Sequence, residues 1–343
     1  MHTLTGMNSK EEADTIVHTA LTKEVQIKNI KIINPNIYGI ICVPVDDSYD
    51  EIVTDNIIFN GTQLSFNPYG TVKINNSNIT IESTSEIESE EICEAERVII
   101  GGKTNIISSS PNLPLFSFRS DSTNPSVIFL CKSDVIISTD TREFMSGTNK
   151  LNFTILHDTN VHLTTGNGFS SKTIHGANNV LIDDRASFIF IEKSHQRIPM
   201  WAIFGSLTMK EDSELQIINS YSNTPSDNYN IHFKGTDCKM NLYNPKNLTI
   251  YTKNANVIYT NNPLTSTNGF ILENALVFKK FDDEVITLSN TPTVVFTGSN
   301  NEEIVSFKEL NWSTEKGPLL DLTNEALEVN EEYFSTIYFN IEE

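Results

Sequence analysis

Three groups of side chains in this sequence could do chemistry together. Asp183 and Asp184 stand next to Arg185, Asp46, Asp47 and Asp50 share one loop, and 7 histidines are scattered along the chain. Clustered carboxylates hold calcium or act as general acid and base, and a neighbouring cation neutralises an anionic substrate. Each group also has a plainer reading. Acidic residues are common turn formers, and neighbours in an extended corner point different ways, so Asp-Asp-Arg at 183–185 reads first as a turn. His157 and His162 flank a corner, His195 lies in a long loop with Arg197, and His232 alternates with Ile231 and Phe233, which directs it outward. None has a carboxylate partner at a legible spacing. No catalytic or metal-binding residue is therefore assigned, and no cofactor is expected.

Whatever these residues do, the elements that carry them come from a repeat. In GSLTMKEDSELQIIN, residues 205–219, Leu207 and Met209 are separated from Leu215 and Ile217 by a polar insert. On a helix of roughly 100° per residue these four side chains would point all around the barrel. On strands each pair shares one face, and the insert becomes a corner. The spacing recurs. Val98 and Ile100 precede Ile106, Val127 and Phe129 precede Val135 and Ile137, and Phe153 and Ile155 precede Val161 and Leu163. Val180 and Ile182 precede Phe188 and Phe190, and Met240 and Leu242 precede Leu248 and Ile250. Counted this way, the paired strands start eight residues apart every time. The inserts GGKTN, LCKSD, LHDTN, DDRAS, KEDSE and YNPKN share turn-forming composition rather than sequence.

Repeats that begin at 98, 127, 153, 180, 207 and 240 predict an all-β chain wound as a right-handed parallel β-helix, three strands per coil. The third strand is expected just before each repeat, at Phe116 and Phe118, Phe144, Phe169, Trp201 and Ile203, Ile231 and Phe233, and Val257 and Tyr259. These large side chains read as a core column, with Trp201 beside Pro199 as the one candidate for stacking on a sugar. Ser9 and Glu12 form a capping box ahead of Ala13, Ile16, Val17 and Leu21, so residues 1–24 are expected to cap the first coil with a short helix. The β-helix is placed at 25–260. Residues 261–343, with FILENALVFKKF and STIYFNIEE, are expected to form an antiparallel closing unit.

Composition excludes more than it identifies. Lys plus Arg number 24 against 44 Asp plus Glu, a net charge of -20 that opposes binding to nucleic acid or to an anionic membrane surface. No stretch reaches the roughly 20 apolar residues that cross a bilayer, so no membrane insertion is expected. Cys42, Cys93, Cys131 and Cys238 are far apart with no C-x-x-C pair, and free buried thiols are expected.

The run NNVLIDDRASFIFIEKSHQRIPMWAIFGSLTMKEDSELQIINSYSN, with NIHFKG, CKMNLYNPKNLTIYT and NVIYTNN after it, resembles the pectate lyase-like adhesive domains of Gram-positive bacterial surface proteins. Asn244 to Tyr251 matches their N-P-K-x-L-x-L-Y phrase, and NIIFNGTQLSFNPYGTVKI looks like their early coil. The likeness covers about residues 20–275. It implies a β-helix, an extracellular cell-surface location and an attachment role, as a monomeric module of a larger surface protein that binds a glycan or protein ligand. The family has no catalytic residues to carry over. Two function classes follow, a non-catalytic adhesive or spacer module and, as the alternative, a lyase or hydrolase acting on acidic polysaccharide.

Overall fold

In the computed structural model the described residues are all-β, and their strands pair in parallel to form a β-solenoid. The structure describes residues 2–4, 24–33, 40–42 and 51–298. Within the last range it leaves out 62–63, 67, 83–91, 110–113, 119–121, 140–143, 146–150, 167–176, 193–200, 220–230, 236–237, 252–257, 261–269, 274–276 and 281–295. The expected helix over Ser9–Leu21, the Asp46–Asp50 loop, Phe169, His195, Arg197 and Val257 therefore lie outside the described residues.

Among the described residues two long sheets and one short sheet make up the stack. One long sheet has 11 strands and runs from His2–Leu4 through Lys103–Ser108, Asp134–Thr139, Asn160–Thr165, Ser187–Glu192 and Glu214–Asn219 to Val277–Lys280. The other has 13 strands and includes Thr71–Asn75, Arg97–Gly101, Ser126–Phe129, Asn152–Ile155, Ala177–Ile182, Trp201–Met209 and Lys239–Tyr243. The short sheet has 4 strands, Ile40–Cys42, Leu64–Phe66, Cys93–Ala95 and Phe116–Phe118.

Register explains why the apolar pairs recur. Val72, Val98, Val127, Phe153, Val180, Leu207 and Met240 pair in that order down one long sheet, and all are buried. Ile79, Ile106, Ile137, Leu163, Phe190 and Ile217 do the same in the other. Burying a Val, Leu, Ile or Phe contributes about 1.5–3 kcal/mol, so each coil offers the next a core surface to cover. Phe153 is the hub, with ring centroids 5.5 Å from Phe129, 5.3 Å from Phe188 and 5.8 Å from Trp201. Trp201 is thus core, and the sugar-stacking reading does not hold for it.

Two expectations change. Residues 201–203 do not form a separate strand: they run on into 207–209 as the single strand Trp201–Met209 of the 13-stranded sheet. The stretch Phe204-Gly205-Ser206 lacks a turn, and the register shifts between Ala177 and Asn179, so a bulge bends the strand instead. A Cβ on Gly205 would meet the Asn178 carbonyl oxygen at 2.8 Å, which accounts for glycine at the bend. Antiparallel pairing after Tyr259 is also corrected. Phe270–Glu273, Val277–Lys280 and Phe296–Gly298 all continue the stack in parallel. Met240 and Leu248 are eight residues apart while their partners Phe270 and Val277 are seven apart, so a search for the longer spacing misses this coil.

Candidate functional site

The candidate chemistry gathers along one corner of the solenoid, and the backbone explains how. Asn29, Asn56, Asn76, Gly102, Lys132, Asp158, Arg185, Asp212 and Asn244 each take a positive φ, between 47° and 61°. One left-handed residue per corner turns the chain from one long sheet into the other. Asparagine, aspartate and glycine tolerate that conformation best, which accounts for seven of the nine positions. Successive corners are joined through the same atoms: the amide of Lys132 donates to the His157 carbonyl, Asp158 to Asp184 and Arg185 to Glu211, at 3.2, 3.1 and 2.8 Å. The next residue is small and buried, Ser133, Thr159, Ala186 or Ser213. Where that residue carries a hydroxyl it can brace the corner: Ser213 Oγ donates to the Lys210 carbonyl of its own turn at 2.6 Å, and Thr159 Oγ1 to the Leu130 carbonyl of the preceding coil at 2.7 Å.

Pro245 falls, by strand register, opposite Asp212, and proline is locked near φ −65°. The left-handed residue accordingly moves one place back to Asn244, whose carbonyl accepts from the Asp212 amide at 2.9 Å.

On this frame Asp183, Asp184 and Arg185 do not converge. Arg185 reaches back one coil and binds Asp158 through two nitrogens, Nε to Oδ1 at 2.7 Å and Nη2 to Oδ2 at 3.1 Å. Asp183 pairs forward with Lys210 Nζ at 2.8 Å. His157, expected to be unpartnered, places Nδ1 3.0 Å from Asp158 Oδ2. Hydrogen bonds from Arg185 and then His157 hold the Asp158 carboxyl well below the usual carboxylate range. Burial of Asp183 opposes its ionisation, but hydrogen bonds from Lys210 and the Asp184 amide, with the Lys210 charge, carry it below its ordinary value. Both carboxylates are therefore anions at neutral pH, whereas a general acid needs a raised pKa.

The partners Asp158 and Lys210 escaped the sequence reading because it sought neighbours close in sequence. Each lies 27 residues from its counterpart, counted from Asp158 to Arg185 and from Asp183 to Lys210, which is the repeat period itself. His162 sits in a strand between Ile136 and Ile189 of adjacent coils, half-exposed. His232 pairs in register with Ala202 and Tyr259, and its side chain lies outside the described residues.

Among the described residues no three His, Cys, Asp or Glu side chains are placed to hold a metal ion. None of the described residues forms a helix long and apolar enough to cross a membrane. Cys93 and Cys238 are buried thiols outside any disulfide, as expected, whereas Cys131 is an exposed thiol.

A second outward row is neutral. Asn152 Nδ2 donates to Asn124 Oδ1 at 2.7 Å, Asn179 Nδ2 to Asn152 Oδ1 at 3.0 Å, and Ser206 Oγ to Asn179 Oδ1 at 2.9 Å. Asn124 and Asn179 are exposed and Asn152 and Ser206 half-exposed, and the last three pair in register, one coil to the next. Comparison with known proteins finds no matching family model, no matching curated protein and no matching solved structure.

Proposed function

We propose that this chain is a non-catalytic attachment module of a bacterial cell-surface protein, which holds a glycan or protein ligand outside the cell on the outward rows of its coils. The observation that carries the reading is the ladder Asn124–Asn152–Asn179–Ser206, a line of exposed and half-exposed donors and acceptors that crosses four coils. Amide and hydroxyl groups recognise sugar hydroxyls and peptide groups alike, and the coil spacing of about 4.8 Å gives such a ligand several contacts along one line. The residues best suited to catalysis serve another purpose, since Asp158, Asp183, Arg185 and Lys210 join coil to coil.

The finer architecture belongs to the same proposal. The coil is right-handed, as crossovers between parallel strands of one sheet are, and a third strand runs along the short sheet in the coils that reach it, whereas Ile231–Phe233 and Ile258–Thr260 join the 13-stranded sheet. The likeness to pectate lyase-like adhesive domains, noted on NNVLIDDRASF and NPKNLTIY, supports the extracellular setting.

An array of glycans and matrix proteins tests the function. The expected result is binding to at least one ligand that falls when Asn152 and Asn179 are changed to Ala, with no new reducing ends or unsaturated products from uronate polysaccharides. Product formation that disappears in Asp183→Asn would instead establish a lyase or hydrolase and overturn the reading.

A further inference from the structure

The corner column has a symmetry that goes beyond holding coils together. Its left-handed residues in four successive coils are Lys132, Asp158, Arg185 and Asp212, alternating positive and negative. Lys132, Arg185 and Asp212 are exposed and Asp158 is half-exposed, so the charges stand at the surface. The backbone hydrogen bonds that join these corners keep them at equal steps of about 4.8 Å.

We propose that this corner is a docking edge for a second copy of the chain, lying antiparallel against the first. Turned end for end by a two-fold axis, the column reads Asp212, Arg185, Asp158, Lys132. Lys132 then faces Asp212 of the other copy, a contact that occurs twice, while Asp158 and Arg185, already paired within each chain, meet the same pair of the other copy with opposite signs facing. This is the self-complementarity that an isologous two-fold contact requires. A parallel copy in register sets like against like and is rejected. On one flank Ser133, Thr159, Ala186 and Ser213 are small and buried, which leaves the charged column proud of its surroundings. One like-charge juxtaposition arises, Asp134 with Glu214, and Lys246 Nζ lies 3.3 Å from Glu214 to offset it.

A net charge of -20 on each copy repels at long range. At about 0.15 M ionic strength the Debye length is about 8 Å, so the distant charge is screened while facing pairs in contact retain most of their attraction. The edge is narrow, and the association belongs to the weak, transient class. Self-association in solution does not depend on the attachment reading. Its orientation has a further meaning that does rest on that reading: copies carried by two opposing surfaces meet antiparallel, and copies on one surface do not.

Sedimentation velocity over a concentration series near physiological salt tests the proposal. The wild type is expected to move from monomer toward dimer as concentration rises, and to lose the effect near 1 M salt, where the Debye length is about 3 Å. Lys132→Asp sets two acids against each other, and Asp212→Lys sets two lysines against each other; each alone weakens dimerisation about tenfold or more, a loss of roughly 1.4 kcal/mol. Mixed together, the two variants restore every opposite-sign pair and dimerise. Rescue on mixing cannot arise from a fold defect. Both residue types already occupy this left-handed position in other coils, and circular dichroism verifies that each variant is folded. A wild type that stays monomeric throughout, single variants that dimerise like the wild type, or folded variants that remain monomeric on mixing would each overturn the proposal. A ligand array that fails while the mixing experiment succeeds would remove the attachment reading and leave the docking edge intact.

Discussion

Asp158 accepts two hydrogen bonds from Arg185 and lies within hydrogen-bonding distance of His157, and these bonds favour its ionised form in the folded chain alone. Its carboxyl therefore titrates below the unfolded value of about 3.9, and the unfolded chain binds more protons in the window between them. The stabilisation is complete above the unfolded value and is lost as pH falls through the folded one. Asp158→Asn is expected to lower the melting temperature by a small, constant amount from neutral pH down to about pH 4, with the gap closing at more acidic pH. Thermal melts of both proteins across that range check the sign; a gap that widens on acidification contradicts it. The Arg185–Asp158 pair was hidden in the sequence because its members belong to different coils. Once the period is known, adding 27 to an acidic corner position finds the cation.

The corner is the element that sets the geometry. Five consecutive repeats from Val127 to Met240 keep a spacing of ten residues to their partners across the corner, as from Val127 to Ile137 and from Leu207 to Ile217. Earlier corners are tighter. Val72 and Ile79 are seven apart and their register partners Val98 and Ile106 are eight apart. The match counted from Val98 to Ile106 was thus a coincidence, for Thr104 is the residue that pairs with Val135, and Ile106 pairs with Ile137. Composition could flag these inserts as turns, because they hold Asn, Asp, Gly and Ser, yet it could not reveal which residue takes the left-handed conformation. Arginine and lysine fill that place at 185 and 132 without any propensity for it. The requirement is testable at Asp212, where φ is 55° and the amide donates to the Asn244 carbonyl. Asp212→Pro forbids both, and should destabilise by at least about 2 kcal/mol in urea unfolding. Asp212→Gly keeps both and should remain within about 1 kcal/mol of the wild type. Equal losses in the two variants would mean that the corner does not need a positive φ.

Over the whole molecule the sequence was most legible where one coil is buried on the next. Val180, Leu207 and Met240 announce one column because an inward position has to stay apolar in every coil. Outward positions carry no such constraint, so the Asn124–Asn152–Asn179–Ser206 ladder and the alternating corner charges emerge only when coils are set in register. The strands after Tyr259 were misread for the related reason that one corner is a residue shorter. All functional readings rest on this winding, since it alone turns residues about 27 apart into neighbours on a line. Spin labels on the outward row of the 11-stranded sheet test it most directly. Asn78, Asn105, Ile136, His162, Ile189 and Gln216 pair in that order, one strand to the next. With Cys42 and Cys131 changed to Ser, electron–electron distances are measured from a label at Asn78 to labels at His162, Ile189 and Gln216. Even increments of about 4.8 Å per coil, reaching about 24 Å at Gln216, are the result predicted here. Distances that fail to grow in that order, as in a compact sandwich of hairpins, would contradict the winding.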